Sequence, residues 1–217
     1  MIKFIFFDVG GVVIDDFSGN DSWGELKAEL GVKPEQEEAF DEAWYPLEHE
    51  VLVGRDIETL LPVLIEKFKL NLPDNYSFLN GFVSRFKTNP PIWPIIKFAK
   101  ERVEVGLLTN MYPGMFEAIR ERNLLPPIKW NVVLDSNIEM LKKPDKRLFE
   151  LAELRAKVSG KEILFIDNSI GHIKEAKTFG WQVYHYDSSD HNASCAKLDK
   201  YLKSSLSTQK NSISRNL

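Results

Sequence analysis

Short runs dense in Ile, Val, Leu and Phe recur at residues 2–7, 103–108, 130–134 and 162–166, with a weaker one at 182–186. Each has the length of a strand rather than a helix. The last four are separated by stretches with helical spacing, among them Phe116 to Arg122, Leu148 to Lys157 and Ile170 to Phe179. Alternation of this kind favours a parallel sheet wrapped by helices, because parallel neighbours need a crossover and a helix covers the sheet as it crosses. The sequence therefore predicts a doubly wound, Rossmann-like α/β core.

The interval between the first run and the second is roughly 90 residues, far longer than a crossover between neighbouring strands requires. Its segments Trp23 to Leu30, Glu35 to Leu47, Ile57 to Phe68 and Tyr76 to Phe86 have helix-like spacing, with breaks at Gly31, Pro34, Gly54 and Pro73. This predicts a small inserted helical domain over residues 16–89, with the core at 1–15 and 90–203. Asn89-Pro90-Pro91 marks the return to the core, since proline disfavours helix in the residue before it. Residues 204–217, rich in Ser and Asn and poor in large apolar side chains, are expected to form a disordered tail.

Bulk properties narrow the partners. Lys and Arg number 28 against 32 Asp and Glu, a net charge of −4, and no basic run could neutralise a row of phosphates. Nucleic acid is not an expected partner. The apolar runs are short and punctuated by charge, so no membrane contact and a cytoplasmic location are expected. Cys195 is the single cysteine, which excludes an internal disulfide and a thiolate metal cluster within the chain.

Three runs end in polar groups: Asp8 after Ile5-Phe6-Phe7, Thr109-Asn110 after Gly106-Leu107-Leu108, and Asp167-Asn168 after Leu164-Phe165-Ile166. On parallel strands all three emerge at one sheet edge, outside the carboxyl ends where open α/β sheets bind ligands. Asp8 and Asp167 could chelate a hard cation such as Mg²⁺, and Lys143, ahead of Pro144, offers a compact charge for phosphate oxygens. Gly10 and Gly11 allow a sharp turn and close approach of backbone amides to an anion. His185, Asp187, Asp190 and His191 lie close together and raise the question of zinc, but the run reads as a loop after a strand.

The order and spacing of these motifs resemble the haloacid dehalogenase-like hydrolases. The segments concerned are Phe7-Asp8-Val9-Gly10-Gly11-Val12-Val13, Leu107-Leu108-Thr109-Asn110, Lys143-Pro144-Asp145 ahead of Leu148-Phe149, and Phe165-Ile166-Asp167-Asn168-Ser169. The insert resembles the helical cap of that family. The resemblance implies a phosphatase acting on a small phosphorylated metabolite. Asp8 would be the nucleophile, forming an aspartyl-phosphate, and Lys143 would offset charge on it and on the transferring group. Thr109, Asn110 and the backbone at Gly10 and Gly11 would bind phosphate. Mg²⁺ would be held by Asp8, the Gly10 carbonyl and Asp167.

The sequence departs from the family pattern at three positions. Gly10 stands where the common phosphatase pattern has the aspartate that protonates the leaving group. Asn168 stands where many members have a second aspartate, and His172 where Asn or Asp is frequent. Asp15 and Asp16 become candidate replacement acids, and Arg55 a candidate substrate contact from the cap. Two other readings stay open: a metal-independent 2-haloacid dehalogenase, and a catalytically impaired member that binds a ligand or partner without turnover.

Overall fold

The wholly apolar stretch Phe4-Ile5-Phe6-Phe7 becomes the central strand of the sheet. In the computed structural model of the protein, which describes residues 1–207, β1 (Phe4–Phe7) passes through a tight loop into the two-residue β2 (Ile14–Asp15). Four helices follow: α1 (Ser22–Leu30), α2 (Glu37–Val51), α3 (Leu61–Phe68) and α4 (Phe78–Val83). The short β3 (Lys87–Thr88) pairs antiparallel with β2, Ile14 opposite Thr88, so the helical segment leaves and rejoins the rest through a two-stranded ribbon. Then come α5 (Trp93–Lys100), β4 (Glu104–Thr109), α6 (Met115–Glu121), β5 (Val132–Asp135), the one-turn α7 (Ser136–Glu139), and α8 (Lys146–Ala156). β6 (Ile163–Asp167), α9 (Ile170–Phe179), β7 (Gln182–His185) and α10 (His191–Ser207) complete the described residues.

The sheet is parallel and ordered β5-β4-β1-β6-β7. Phe7 lies level with Leu107 on one side and Ile166 on the other, which brings the carboxyl ends of β1, β4 and β6 together. Alternate side chains of β1 feed two cores: Ile5 and Phe7 join the cluster under α5, α6 and α10, and Phe4 and Phe6 join the cluster under α8 and α9. A strand buried on both faces needs apolar residues without alternation, which Phe4-Ile5-Phe6-Phe7 supplies.

The helical segment is built round aromatic rings. Trp44, all but inaccessible, lies 5.7 Å from both Trp23 and Phe82 and 5.2 Å from Phe78 between ring centroids. Glu58, in the single turn Ile57–Leu60 ahead of α3, fastens the start of α4, its carboxylate accepting from the amides of Phe78 at 3.0 Å and Leu79 at 3.1 Å. The regular helix there is shorter than the expected Tyr76 to Phe86 because Ser77 caps it, accepting from the Asn80 amide. α10 carries residues 204–207, expected in the tail, into a helix whose Leu198, Leu202 and Leu206 are buried. The rest of that expected tail, 208–217, lies outside the described residues. No described helix is long and apolar enough to cross a membrane.

Candidate active site

Asp8, Lys143 and Asp167 meet at the carboxyl edge of the sheet. The Lys143 ammonium, with no exposed side-chain surface, sits 2.8 Å from Asp8 Oδ1 and 2.7 Å from Asp167 Oδ2. Asp8 follows β1 and Asp167 ends β6, so both carboxylates are set by buried strands. Lys143 arrives from the loop before α8, whose start is capped by Asp145 accepting from the Arg147 amide at 2.9 Å. One cation between two buried carboxylates leaves a net negative site.

Burial acts on all of these groups, and their mutual charges work with or against it. Burial pushes the Asp8 carboxyl up to about 7; Lys143 works against the rise and Asp167 adds to it. Burial also acts to raise Asp167, but Lys143 and His172 outweigh it and hold this carboxyl below its usual range. His172 lies 3.1 Å from Asp167 Oδ2 through Nδ1, and burial lowers its own pKa. On Lys143, burial opposes the charge while Asp167 and Asp8 more than restore it.

Asp8, Asp167 and His172 place one ligating atom each within 4.8 Å of one another, a grouping of metal-ligand type among the described residues. Two buried carboxylates served by a single ammonium suit a hard divalent cation, whose oxygen preference they meet. His185, Asp187, Asp190 and His191 form no such group: His185 pairs with the Asn168 carbonyl and Asp187 accepts from Ser189.

Thr109, at the end of β4, is buried, and its hydroxyl has no partner among the described residues. An orphaned hydroxyl is costly unless a ligand satisfies it. Asn110 is engaged differently from the phosphate contact expected of it. Its carboxamide oxygen accepts from the Lys143 amide at 2.8 Å, and its nitrogen donates to the Lys143 carbonyl at 3.1 Å. Both ends of that side chain hold the lysine loop.

Gly10 and Gly11 differ in what their missing side chains permit. Gly11 has φ +70°, and a Cβ there would meet Asn168 Nδ2 at 2.2 Å and Ser188 Oγ at 2.8 Å. Ser188 donates to the Gly11 carbonyl and accepts from Asn168, so Asn168 braces the nucleophile loop. At Gly10 a Cβ would fall 2.2 Å from Asp16 Oδ2. The space left by the glycine is filled by that carboxylate. Asp16 Oδ1 accepts from the Ser18 amide at 2.8 Å, which fixes the group, and burial raises its pKa.

Asp15 points elsewhere, its Oδ1 3.3 Å from Asn20 Nδ2 and 3.6 Å from His191 Nε2. Arg55 is not brought to the site: its guanidinium pairs with Glu50 at 2.5 Å and bonds Thr59 on the surface of the helical segment. The residues that sequence reasoning passed over are Trp23, Trp44, Glu48, Phe82 and Tyr112, which line a cavity beside Gly10 and Asp16. The available signal was the density of aromatic residues in the insert.

The sequence model of the family described as haloacid dehalogenase-like hydrolase matches residues 2–180. No curated protein sequence matches. Among solved structures, the HAD family enzyme BT-2542 of Bacteroides thetaiotaomicron, in complex with magnesium and inorganic phosphate, is 17% identical with TM-score 0.68, over 88% of this chain and 96% of that one. A predicted HAD-like family hydrolase of Porphyromonas gingivalis is 22% identical with TM-score 0.69, over 88% and 93%. The L-2-haloacid dehalogenase of Xanthobacter autotrophicus, with chloropropionic acid covalently bound, is 18% identical with TM-score 0.61, over 86% and 78%. At these identities the likeness concerns the fold.

Proposed function

The chain belongs to the haloacid dehalogenase-like hydrolases, and from that membership we propose that it is a Mg²⁺-dependent phosphatase of a small phosphorylated metabolite, with Asp8 as nucleophile. The observation that carries this reading is the Lys143 ammonium shared by the Asp8 and Asp167 carboxylates, beside a Thr109 hydroxyl that lacks a partner among the described residues. Asp8, Asp167 and the Gly10 carbonyl would hold the cation. When bound, it supplies the positive charge that lets a phosphate dianion approach two carboxylates.

The chain's own groups then divide the work. Thr109 donates its hydroxyl to a phosphoryl oxygen, the amides after Asp8 receive others, and Lys143 aligns Asp8 and favours its ionised form against the effect of burial. Asn110 acts through Lys143 by holding its backbone. The Asp8 carboxylate bonds to phosphorus as the ester P–O bond breaks, and the departing oxygen takes a proton from Asp16. A water then gives a proton to Asp16 and bonds to phosphorus, the bond to Asp8 breaks, and inorganic phosphate leaves. Asp16 is the carboxylate assigned here because it fills the space that a residue-10 side chain would occupy. Proton transfer from such a group is worth roughly 10²- to 10⁴-fold.

A dehalogenase would also use Asp8 and Lys143. Its 2-haloacid substrate carries a carboxylate, however, and the adjoining cavity is lined by Asp16 and Glu48 and by no Lys, Arg or His among the described residues. Phosphate release from an aryl phosphate, with Mg²⁺ and with chelator, tests the proposal. Release that requires Mg²⁺ and vanishes in Asp8→Asn supports it. Halide release from a 2-haloacid, unaffected by chelator and without any phosphatase activity, overturns it.

A further inference from the structure

The cavity beside the nucleophile loop has a volume of about 380 Å³, and Gly10, Asp16 and Asn110 form part of its lining. Its far wall comes from the helical segment. Half-buried Trp23 lies there with its ring centroid 5.7 Å from Trp44 and 6.0 Å from Phe82, two rings that are themselves buried behind it, and half-buried Phe17 and Phe86 with exposed Tyr45 complete the aromatic lining. Tyr112 meets Phe82 nearly edge-on at 88°. Aromatic faces of this kind favour a flat or apolar-faced group and attract cations through their quadrupoles.

The charges in the cavity are of one sign. Asp16 and Glu48 line it, and no Lys, Arg or His does so among the described residues. Glu48 is held in place, accepting from the Tyr112 hydroxyl at 2.6 Å. Lys143 is enclosed by Asp8 and Asp167, and Arg55 is paired with Glu50. Lys142 is near enough for Glu48 to affect its charge but does not line the space. A second anionic group on a substrate would be desolvated here against the Glu48 carboxylate with no counter-ion lining the space, while Asp16 holds its proton for the leaving group, and like-charge juxtaposition is an effective means of rejection.

Resting on the phosphatase reading, we propose that the substrate is a phosphate monoester whose leaving group is flat or apolar-faced and neutral or cationic. The phosphate is its only anion. Sugar bisphosphates, phosphorylated carboxylic acids and nucleotides with further phosphates are excluded on this basis. Phosphate esters of aromatic alcohols, or of alcohols bearing an ammonium group, fit both the wall and the charge.

The test uses the full-length protein with Mg²⁺ and three esters of nearly equal leaving-group acidity: 4-methylphenyl, 4-(aminomethyl)phenyl and 4-(carboxymethyl)phenyl phosphate. The expected kcat/KM for the carboxymethyl ester is lower than for the other two by about tenfold or more, with the loss mainly in KM. Glu48→Gln, which keeps an acceptor for Tyr112, should narrow that gap. Equal rates for the three esters, or preference for the anionic one, overturn the inference and leave the phosphatase reading standing. Failure of all three esters to release phosphate would reject that reading, and the inference with it.

Discussion

The sheet edge and the helical insert solve opposite problems. At the edge, Asp8, Asp167 and Lys143 are buried and bound to one another within 2.8 Å, on strands packed from both faces. In the insert the interior is aromatic, and charged pairs such as Arg85 with Glu29 and Arg55 with Glu50 lie toward its surface. The edge fixes where a reacting atom must sit, because buried charges tolerate little displacement. The insert supplies a wall whose selection depends on shape and sign. The two meet where Asp16, just past the ribbon, reaches back into the space over Gly10.

The largest effect should come from removing the shared cation. Lys143→Met leaves two buried carboxylates facing each other and should cost about 3–5 kcal/mol of stability as well as turnover. Denaturant unfolding and phosphate release measure both. A stable, active variant would show that the edge does not depend on this lysine.

Next is Asp16, on which the comparison turns. Asp16→Asn should lower turnover of alkyl phosphates by roughly 10²- to 10⁴-fold and that of an activated aryl ester far less. Gly10→Asp alone should not improve the enzyme, since its Cβ would collide with Asp16. Gly10→Asp combined with Asp16→Gly should recover much of the alkyl-ester activity. An equal loss on every ester in Asp16→Asn would instead mark Asp16 as structural.

Metal binding should follow. Mg²⁺ at about a hundred times its Kd should stabilise the wild type by about 2.7 kcal/mol, read as a rise in melting temperature. Asp167→Asn should lose most of that rise. An undiminished shift in the variant would place the cation elsewhere.

The smallest effect concerns Asp135, at the end of β5 beyond Thr109. Its carboxyl is pushed up to about 6 by burial, against opposition from Asn137, and one of its oxygens lacks a partner among the described residues. A carboxyl with a raised folded-state pKa binds its proton more tightly folded than unfolded. Its contribution to stability is therefore present at acid pH and is lost as pH rises from about 4 through about 6. Asp135→Asn should flatten that part of the stability profile measured by denaturant titration across pH. A profile unchanged from the wild type would remove Asp135 from the account.

Much of this was legible in the chain. Each strand of the five-stranded sheet lies within two residues of an apolar run, most plainly β1 and β6, which are buried along their whole length and spelled almost wholly in Ile, Leu and Phe, and least plainly the half-buried edge strand β7. Asp8, Thr109, Lys143 and Asp167 follow or precede such elements and were visible for that reason. β2 and β3 were not, since two-residue strands have no period to detect. The turning of Asn110 toward the Lys143 backbone, 33 residues away, has no local signature. The meeting of Asp16 with Gly10 depends on the path of the intervening loop. Arg55 looked suggestive beside Gly54, yet Glu50 and Thr59 were close enough to claim it.

The central claim is that Asp8 carries the phosphoryl group. Acid quenching during turnover of an aryl phosphate with Mg²⁺, followed by mass spectrometry of the peptide containing Asp8, measures this most directly. The account predicts a phosphoryl adduct on Asp8 that forms during turnover, decays once substrate is exhausted and is absent from Asp8→Asn. Sustained phosphate release by Asp8→Asn at the wild-type rate, with no adduct on the wild-type peptide, would contradict it.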